Sequence, residues 1–133
     1  MTRVLSVDCP PGRPTPGGRL ASEYDVPPDA WYFVDGGTGH MPTSVLTEVM
    51  LQPCGWLMSY MGFALPGNLR FRNLDGRSLV VLREIGPDAG TLRVEATFLK
   101  SFAVGQTVLV FYGIVCSAPD GAVARMETDF GLF

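Results

Sequence analysis

Apolar side chains crowd one stretch of this chain. From Val45 to Gly62, reading Val-Leu-Thr-Glu-Val-Met-Leu-Gln-Pro-Cys-Gly-Trp-Leu-Met-Ser-Tyr-Met-Gly, almost every position is hydrophobic on every side of a helical wheel. A helix apolar all round is a buried helix. Its roughly 18 residues would run about 27 Å, the width of a small domain, so the rest of the chain is expected to wrap it. Glu48 and Gln52 interrupt it, and their spacing stacks them on one face. An ionisable group on a buried helix requires a partner, water or a ligand, which makes Glu48 the first functional candidate. With Thr43 or Ser44 as the helix cap, the third helical position falls on Leu46 or Thr47, so Glu48 does not close a capping box.

Around this helix the pattern changes to period two. Within a predicted strand over residues 91–104, Thr91-Leu-Arg-Val-Glu-Ala-Thr-Phe puts Leu92, Val94, Ala96 and Phe98 on one face and Arg93 and Glu95 on the other, so that one face is wet. Further strands are predicted over residues 3–8, 19–26, 69–74, 78–85, 107–117 and 122–130, the run after the helix opening at Gly67-Asn68. Asp75-Gly76, Asp88-Ala-Gly90 and Asp120-Gly121 serve as turns. Pro10 to Gly18 is a proline-rich loop, Asp29 to Phe33 a single helical turn, and Asp35-Gly-Gly-Thr-Gly39 a flexible lead into the long helix. Strands, one apolar helix, then more strands predict an α+β domain in which a curved antiparallel sheet wraps the helix. Pro53 removes one helical hydrogen bond, and Trp56 and Tyr60 read as core packing.

Composition narrows the partners. The 133 residues make one domain, 1–133, 47% hydrophobic and 17% charged. Ten Lys and Arg lie scattered among thirteen Asp and Glu, for a net charge of −3, which argues against a nucleic-acid surface. No uninterrupted apolar run is long enough to span a membrane, and Met1-Thr-Arg leads into no signal-peptide core, so a cytoplasmic protein is expected. Cys9, Cys54 and Cys116 are widely spaced, as reduced thiols are, and no zinc pattern is present. Cys54 reads as a small core hydrophobe and not as a nucleophile. The glycine loop lacks the Lys-Ser or Lys-Thr that a phosphate cradle carries.

Met41-Pro42, six residues to Glu48, then Gln52, resembles the hot-dog-fold β-hydroxyacyl-acyl-carrier-protein dehydratases, whose pattern is His-Phe-x-x-x-Pro-x-Met-Pro-Gly followed by a central-helix Asp or Glu and a Gln one turn later. Tyr24-Asp-Val-Pro-Pro-Asp-Ala-Trp-Tyr-Phe33, Leu51-Gln-Pro-Cys-Gly-Trp56 and Thr128-Asp-Phe-Gly-Leu-Phe133 are similar to the dehydratase domains of polyunsaturated fatty acid and polyketide synthases. The resemblance covers nearly the whole chain. It implies a hot dog fold acting on acyl-carrier-protein-bound 3-hydroxyacyl thioesters, without cofactor or metal, and a site shared across a dimer of hot dogs.

The family supplies a His as well as the carboxylate. Counting back fourteen residues from Glu48 lands on Val34, which has no proton to give or take. His40, the only histidine, stands where the family carries an apolar residue, and Thr43 replaces the Gly whose backbone N–H resembles an oxyanion donor. The expected catalytic pair is therefore Glu48 and Gln52, with His40 a weaker candidate. The substrate is expected along Phe33, Val34, Met41, Thr43, Val45 and Val49 in an acyl tunnel beside the helix. Three functions fit: half of a composite dehydratase completed by a His-bearing hot dog, in a homodimer or heterodimer; a hot-dog thioesterase using Glu48; or a non-catalytic hot-dog partner.

Overall fold

Burial on alternate positions organises the chain into β1 (Arg3–Asp8), β2 (Arg19–Asp25), the short helix α1 (Trp31–Val34), the long helix α2 (Thr43–Tyr60), β3 (Phe71–Val81), β4 (Thr91–Val104), β5 (Thr107–Ala118) and β6 (Gly121–Leu132). The computed structural model describes every residue except Pro66 and Asn68, so the strand opening expected at Gly67-Asn68 falls partly outside the described residues. The strands form one antiparallel sheet in the order β1-β2-β4-β5-β6-β3. Leu92, Val94, Ala96 and Phe98 are buried on its inner face, as the alternation predicts. Helix α2 lies on that face across β2, β4 and β5. It buries Leu46, Val49, Met50, Pro53, Cys54, Leu57 and Met58 there, and the chain continues helically through Pro53.

Two expectations about this helix are corrected. It is not wrapped on all sides: Ser44, Glu48, Gln52, Trp56 and Ser59 are exposed. A single sheet covers only one side of a helix, so apolar residues on the far side stay in solvent unless something else covers them. Trp56 is thus not core. It is 38% exposed and stacked on Tyr60, with ring centroids 5.2 Å apart and planes 14° apart. The N-terminal cap is Pro42, not Thr43 or Ser44, and it makes no side-chain capping bond. At the other end the proline-rich loop closes the helix: the Gly12 N–H donates to the Tyr60 carbonyl at 2.9 Å. Gly62 follows with φ +82°, and a Cβ there would come within 3.0 Å of the Gly12 Cα.

The expected turn at Asp75-Gly76 is also corrected. A tight hairpin turn of that type requires positive φ, and Gly76 does not adopt it. The two expected runs instead form one strand, β3, whose register against β6 shifts between Asn73 and Asp75 and again between Asp75 and Ser78. Thr128, fully buried, secures this bulged segment. Its hydroxyl donates to the Asp75 carbonyl at 2.7 Å and accepts from Asn73 Nδ2 at 2.6 Å. Among the described residues no helix is long and apolar enough to cross a membrane.

Under the sheet, Phe63, Phe98, Tyr112 and Phe130 pack in a chain with successive centroids 5.6, 5.9 and 5.9 Å apart. Tyr112 is fully buried, its hydroxyl has no hydrogen-bond partner, and burial pushes its ionisation well above the usual phenol range. An unsatisfied buried hydroxyl costs about 1–3 kcal/mol. Tyr112→Phe should therefore leave urea-unfolding stability unchanged or raise it, whereas Phe98→Ala should lower it by about 3–5 kcal/mol. A loss above about 1 kcal/mol in Tyr112→Phe would mean that the hydroxyl is satisfied after all.

Candidate active site

Helix α2 packs on β2, β4 and β5, and beyond it the start of β3 leaves Phe71 and Asn73 exposed, next to the buried inner face of β6. A groove of 730 Å³ opens there, walled by Leu51, Gly55, Trp56 and Tyr60 of the helix and by Phe71, Asn73 and Phe130 of the sheet. Antiparallel pairing sets Asn73 opposite Phe130 and Phe71 opposite Leu132, which brings these side chains to the helix-facing side. Asn73 is the polar group on that wall. Its amide donates to Thr128 Oγ1 at 2.6 Å and to the Asp129 carbonyl at 3.2 Å, so its orientation is held.

Glu48 and Gln52 stand at the end of this groove. Gln52 Nε2 donates to Glu48 Oε1 at 3.3 Å, the contact that their spacing on one helix face permits. Gln52 Oε1 accepts from the Met1 amine at 2.5 Å. The same pair lines a second cavity of 300 Å³ on its other side, with Tyr24, Trp31, Ser44, Val45 and Val49. The carboxylate and amide thus form a ridge between a large apolar groove and a smaller one. Glu48 is exposed in the single chain and not buried with the apolar residues of the helix.

The other candidate residues are divided among different places. Val45 and Val49 join Glu48 and Gln52 in the smaller groove. Met41 and Thr43 line a separate 280 Å³ cavity together with His40. There His40 Nδ1 lies 3.4 Å from Glu84 Oε2, and both side chains are exposed. Phe33 and Val34 lie on α1 and line neither cavity beside Glu48; Phe33 packs its ring against Tyr32 at 4.5 Å and Val34 is 69% exposed. Among the described residues, neither cavity beside Glu48 is lined by a histidine. Sequence reasoning assigned Trp56 and Tyr60 to the core and did not name Gly55, Phe71, Asn73 or Phe130 for the site. The helix residues carry a usable signal, since Glu48, Gln52, Gly55 and Ser59 follow three- and four-residue steps along one face. The sheet residues reach the groove only through strand pairing.

No protein-family model matches the chain. It is 29% identical over 132 residues to a polyunsaturated fatty acid synthase polypeptide of Thraustochytrium sp., a match covering 96% of this chain and 9% of that protein. The chain has a hot dog fold. It spans less than a tenth of the curated relative, so that protein's activity does not transfer as a whole. Among solved structures, the fluoroacetyl-CoA-specific thioesterase FlK is similar with a TM-score of 0.69 and 14% identity, covering 90% of this chain and 94% of that one. AziG of S. sahachiroi aligns with a TM-score of 0.62 and 13% identity over 95% and 88% of the two chains. A thioesterase of Haemophilus influenzae gives 0.61 and 13% over 86% and 71%. At these identities the likeness is one of fold.

Val34 stands where the dehydratase pattern that this chain resembles has a histidine, and two of the three thiols are deeply buried. Cys54 is completely buried, with Sγ 4.0 Å from the Met50 carbonyl, and burial pushes its ionisation far above the ordinary thiol range. Burial pushes Cys116 up to about 11, with Arg83 offsetting part of the effect. Cys9 is half-buried. Among the described residues no cluster of three His, Cys, Asp or Glu is placed to hold a metal ion. An aromatic disulfide reagent at pH 8 should therefore label Cys9 first, and Cys54 and Cys116 only as the protein unfolds. The unfolded Cys116 thiol ionises at about 8.5, so the folded chain keeps a proton that the unfolded chain releases. The stability this contributes is present below that pH and falls as pH rises toward 11; labelling of all three thiols at one rate in native buffer would contradict the burial.

Proposed function

We propose that this hot dog supplies the acid half of a split 3-hydroxyacyl thioester dehydratase. The observation that carries the reading is the Glu48–Gln52 pair standing at the end of an apolar groove that, among the described residues, no histidine lines. A thioester centred on that ridge would lay its acyl chain in the larger groove and its carrier arm in the smaller one. The base, a histidine of a second hot dog, removes the α-proton, and the electron pair of that C–H bond forms the Cα=Cβ double bond. The β C–O bond breaks, Glu48 protonates the departing hydroxyl, and water leaves with an enoyl thioester remaining. Gln52 donates to the Glu48 oxygen that does not carry the proton and so orients the carboxyl group. Covering the exposed face of α2 with a second hot dog would exclude water from the carboxyl and suit it to proton donation.

A partner is supported by the edge of the sheet. β3 is an edge strand of 11 residues, and Phe71, Leu74, Val80 and Val81 on it are exposed apolar residues. Such an edge invites strand pairing with a second copy or a related hot dog. Light scattering on the eluting peak of the purified chain should give twice the monomer mass; a monomer at micromolar concentration would count against pairing.

The chemistry is read by mass spectrometry of a carrier-protein-bound 3-hydroxyacyl substrate, with the chain alone and with a His-bearing hot dog. Loss of water is expected only in the mixture. Glu48→Gln should lower that rate by roughly 10²–10⁴-fold, with stability within about 0.5 kcal/mol of the parent because the side chain is exposed. Release of the acyl group as a free acid would instead favour a thioesterase using the same carboxylate. No change to the substrate would favour a non-catalytic partner hot dog.

A further inference from the structure

The large groove contains a built-in obstruction. Gly55 sits inside α2, where glycine is a poor helix former, and its position is explained by what lies against it. A Cβ at Gly55 would come 3.2 Å from Phe71 Cε2 and 3.7 Å from Cζ, so the bare backbone is the seat on which the Phe71 ring rests. Phe71 enters from the opposite wall, at the first position of β3, and is 42% exposed toward the groove that it lines. Seven residues of helix separate Gly55 from Glu48, about 10 Å at the usual rise. Past Gly55 the wall is carried on by the stacked Trp56–Tyr60 pair and Ser59.

We infer that Phe71, seated on Gly55, is the residue that limits the length of acyl chain the groove accepts. This rests on the reading that a thioester is centred at Glu48. A saturated chain running from there meets the Phe71 ring partway along, with apolar space beyond it toward Tyr60. Ring position is set by Gly55: any side chain on the helix at that point would push the ring across the groove. The obstruction is a side chain on an edge strand and not backbone, so replacing it changes the length limit without dismantling the core.

The test is binding, read separately from turnover. Saturated acyl-pantetheine thioesters of graded chain length are titrated against the assembled protein by calorimetry. Each further methylene that the groove buries adds roughly fourfold in affinity, and the series levels off where the chain reaches the obstruction. Phe71→Ala should carry the rise at least two methylenes further, so that the longest thioesters bind at least about 15-fold tighter than to the parent. Phe71→Trp and Gly55→Ala should each stop the rise at shorter chains. Gly55→Ala replaces a helical glycine by a better helix former, so loss of fold does not explain a shorter limit. The same levelling-off length in the parent and all three variants, or no dependence on chain length in the parent, would overturn the inference. Length-dependent binding that shifts as described, with no loss of water in the presence of a His-bearing hot dog, would uphold the gate and defeat the dehydratase reading. Dehydration whose chain-length profile none of the variants moves would do the reverse.

Discussion

Everything at the site follows from how α2 seats on the sheet. One side of the helix, from Leu46 through Met50 and Cys54 to Met58, is buried on the inner face of β2, β4 and β5. That burial is the main favourable term holding helix to sheet, at roughly 25 cal/mol for each square ångström of apolar surface removed from water. Because the contact is off centre, the start of β3 extends past the helix with Phe71 and Asn73 exposed. The groove is the space left by that offset, and at its far end the Gly12 N–H donates to the Tyr60 carbonyl, tying the proline-rich loop to the end of the helix.

The far side of the same helix has a different use. It is mostly polar, with Ser44, Glu48, Gln52 and Ser59 exposed, and Trp56 is its exposed apolar residue, with Val45 and Leu51 half-buried at its margin. Placing the only carboxylate–amide pair of α2 in the middle of that face puts a polar group where a covering hot dog would seal it from solvent. The unpaired edge of β3, with its exposed apolar residues, lies on the same flank of the groove. Edge, groove and carboxylate are thus neighbours in space, so one partner could extend the sheet and close the cavity together.

His40 shows why spacing alone does not place a base. It is close in sequence to the start of α2, yet it faces Glu84 across a separate cavity with Met41 and Thr43. Residues before the helix turn away at Pro42, whose fixed backbone angle starts α2 and directs the preceding loop toward Ile85, where the Met41 N–H donates to the Ile85 carbonyl at 2.8 Å. A one-chain acid–base pair between His40 and Glu48 is therefore not assembled in either cavity beside Glu48.

Local pattern was enough for the α+β architecture, for five of the strands to within two residues at their ends, for the turn at α1, and for setting Glu48 and Gln52 on one helix face. These depend on periods of two and 3.6 and on proline and glycine positions, which neighbouring residues express directly. The single bulged strand β3 escaped that reading, because Asp75-Gly76 looks like a turn until Thr128, far along the chain, bonds to its carbonyl. Which side of an all-apolar helix is covered escaped it too. An apolar residue carries no mark of whether sheet or solvent lies against it, and only the docking of α2 on β2, β4 and β5 decided that Met50 and Leu57 became core while Trp56 and Gly55 became the wall of a groove.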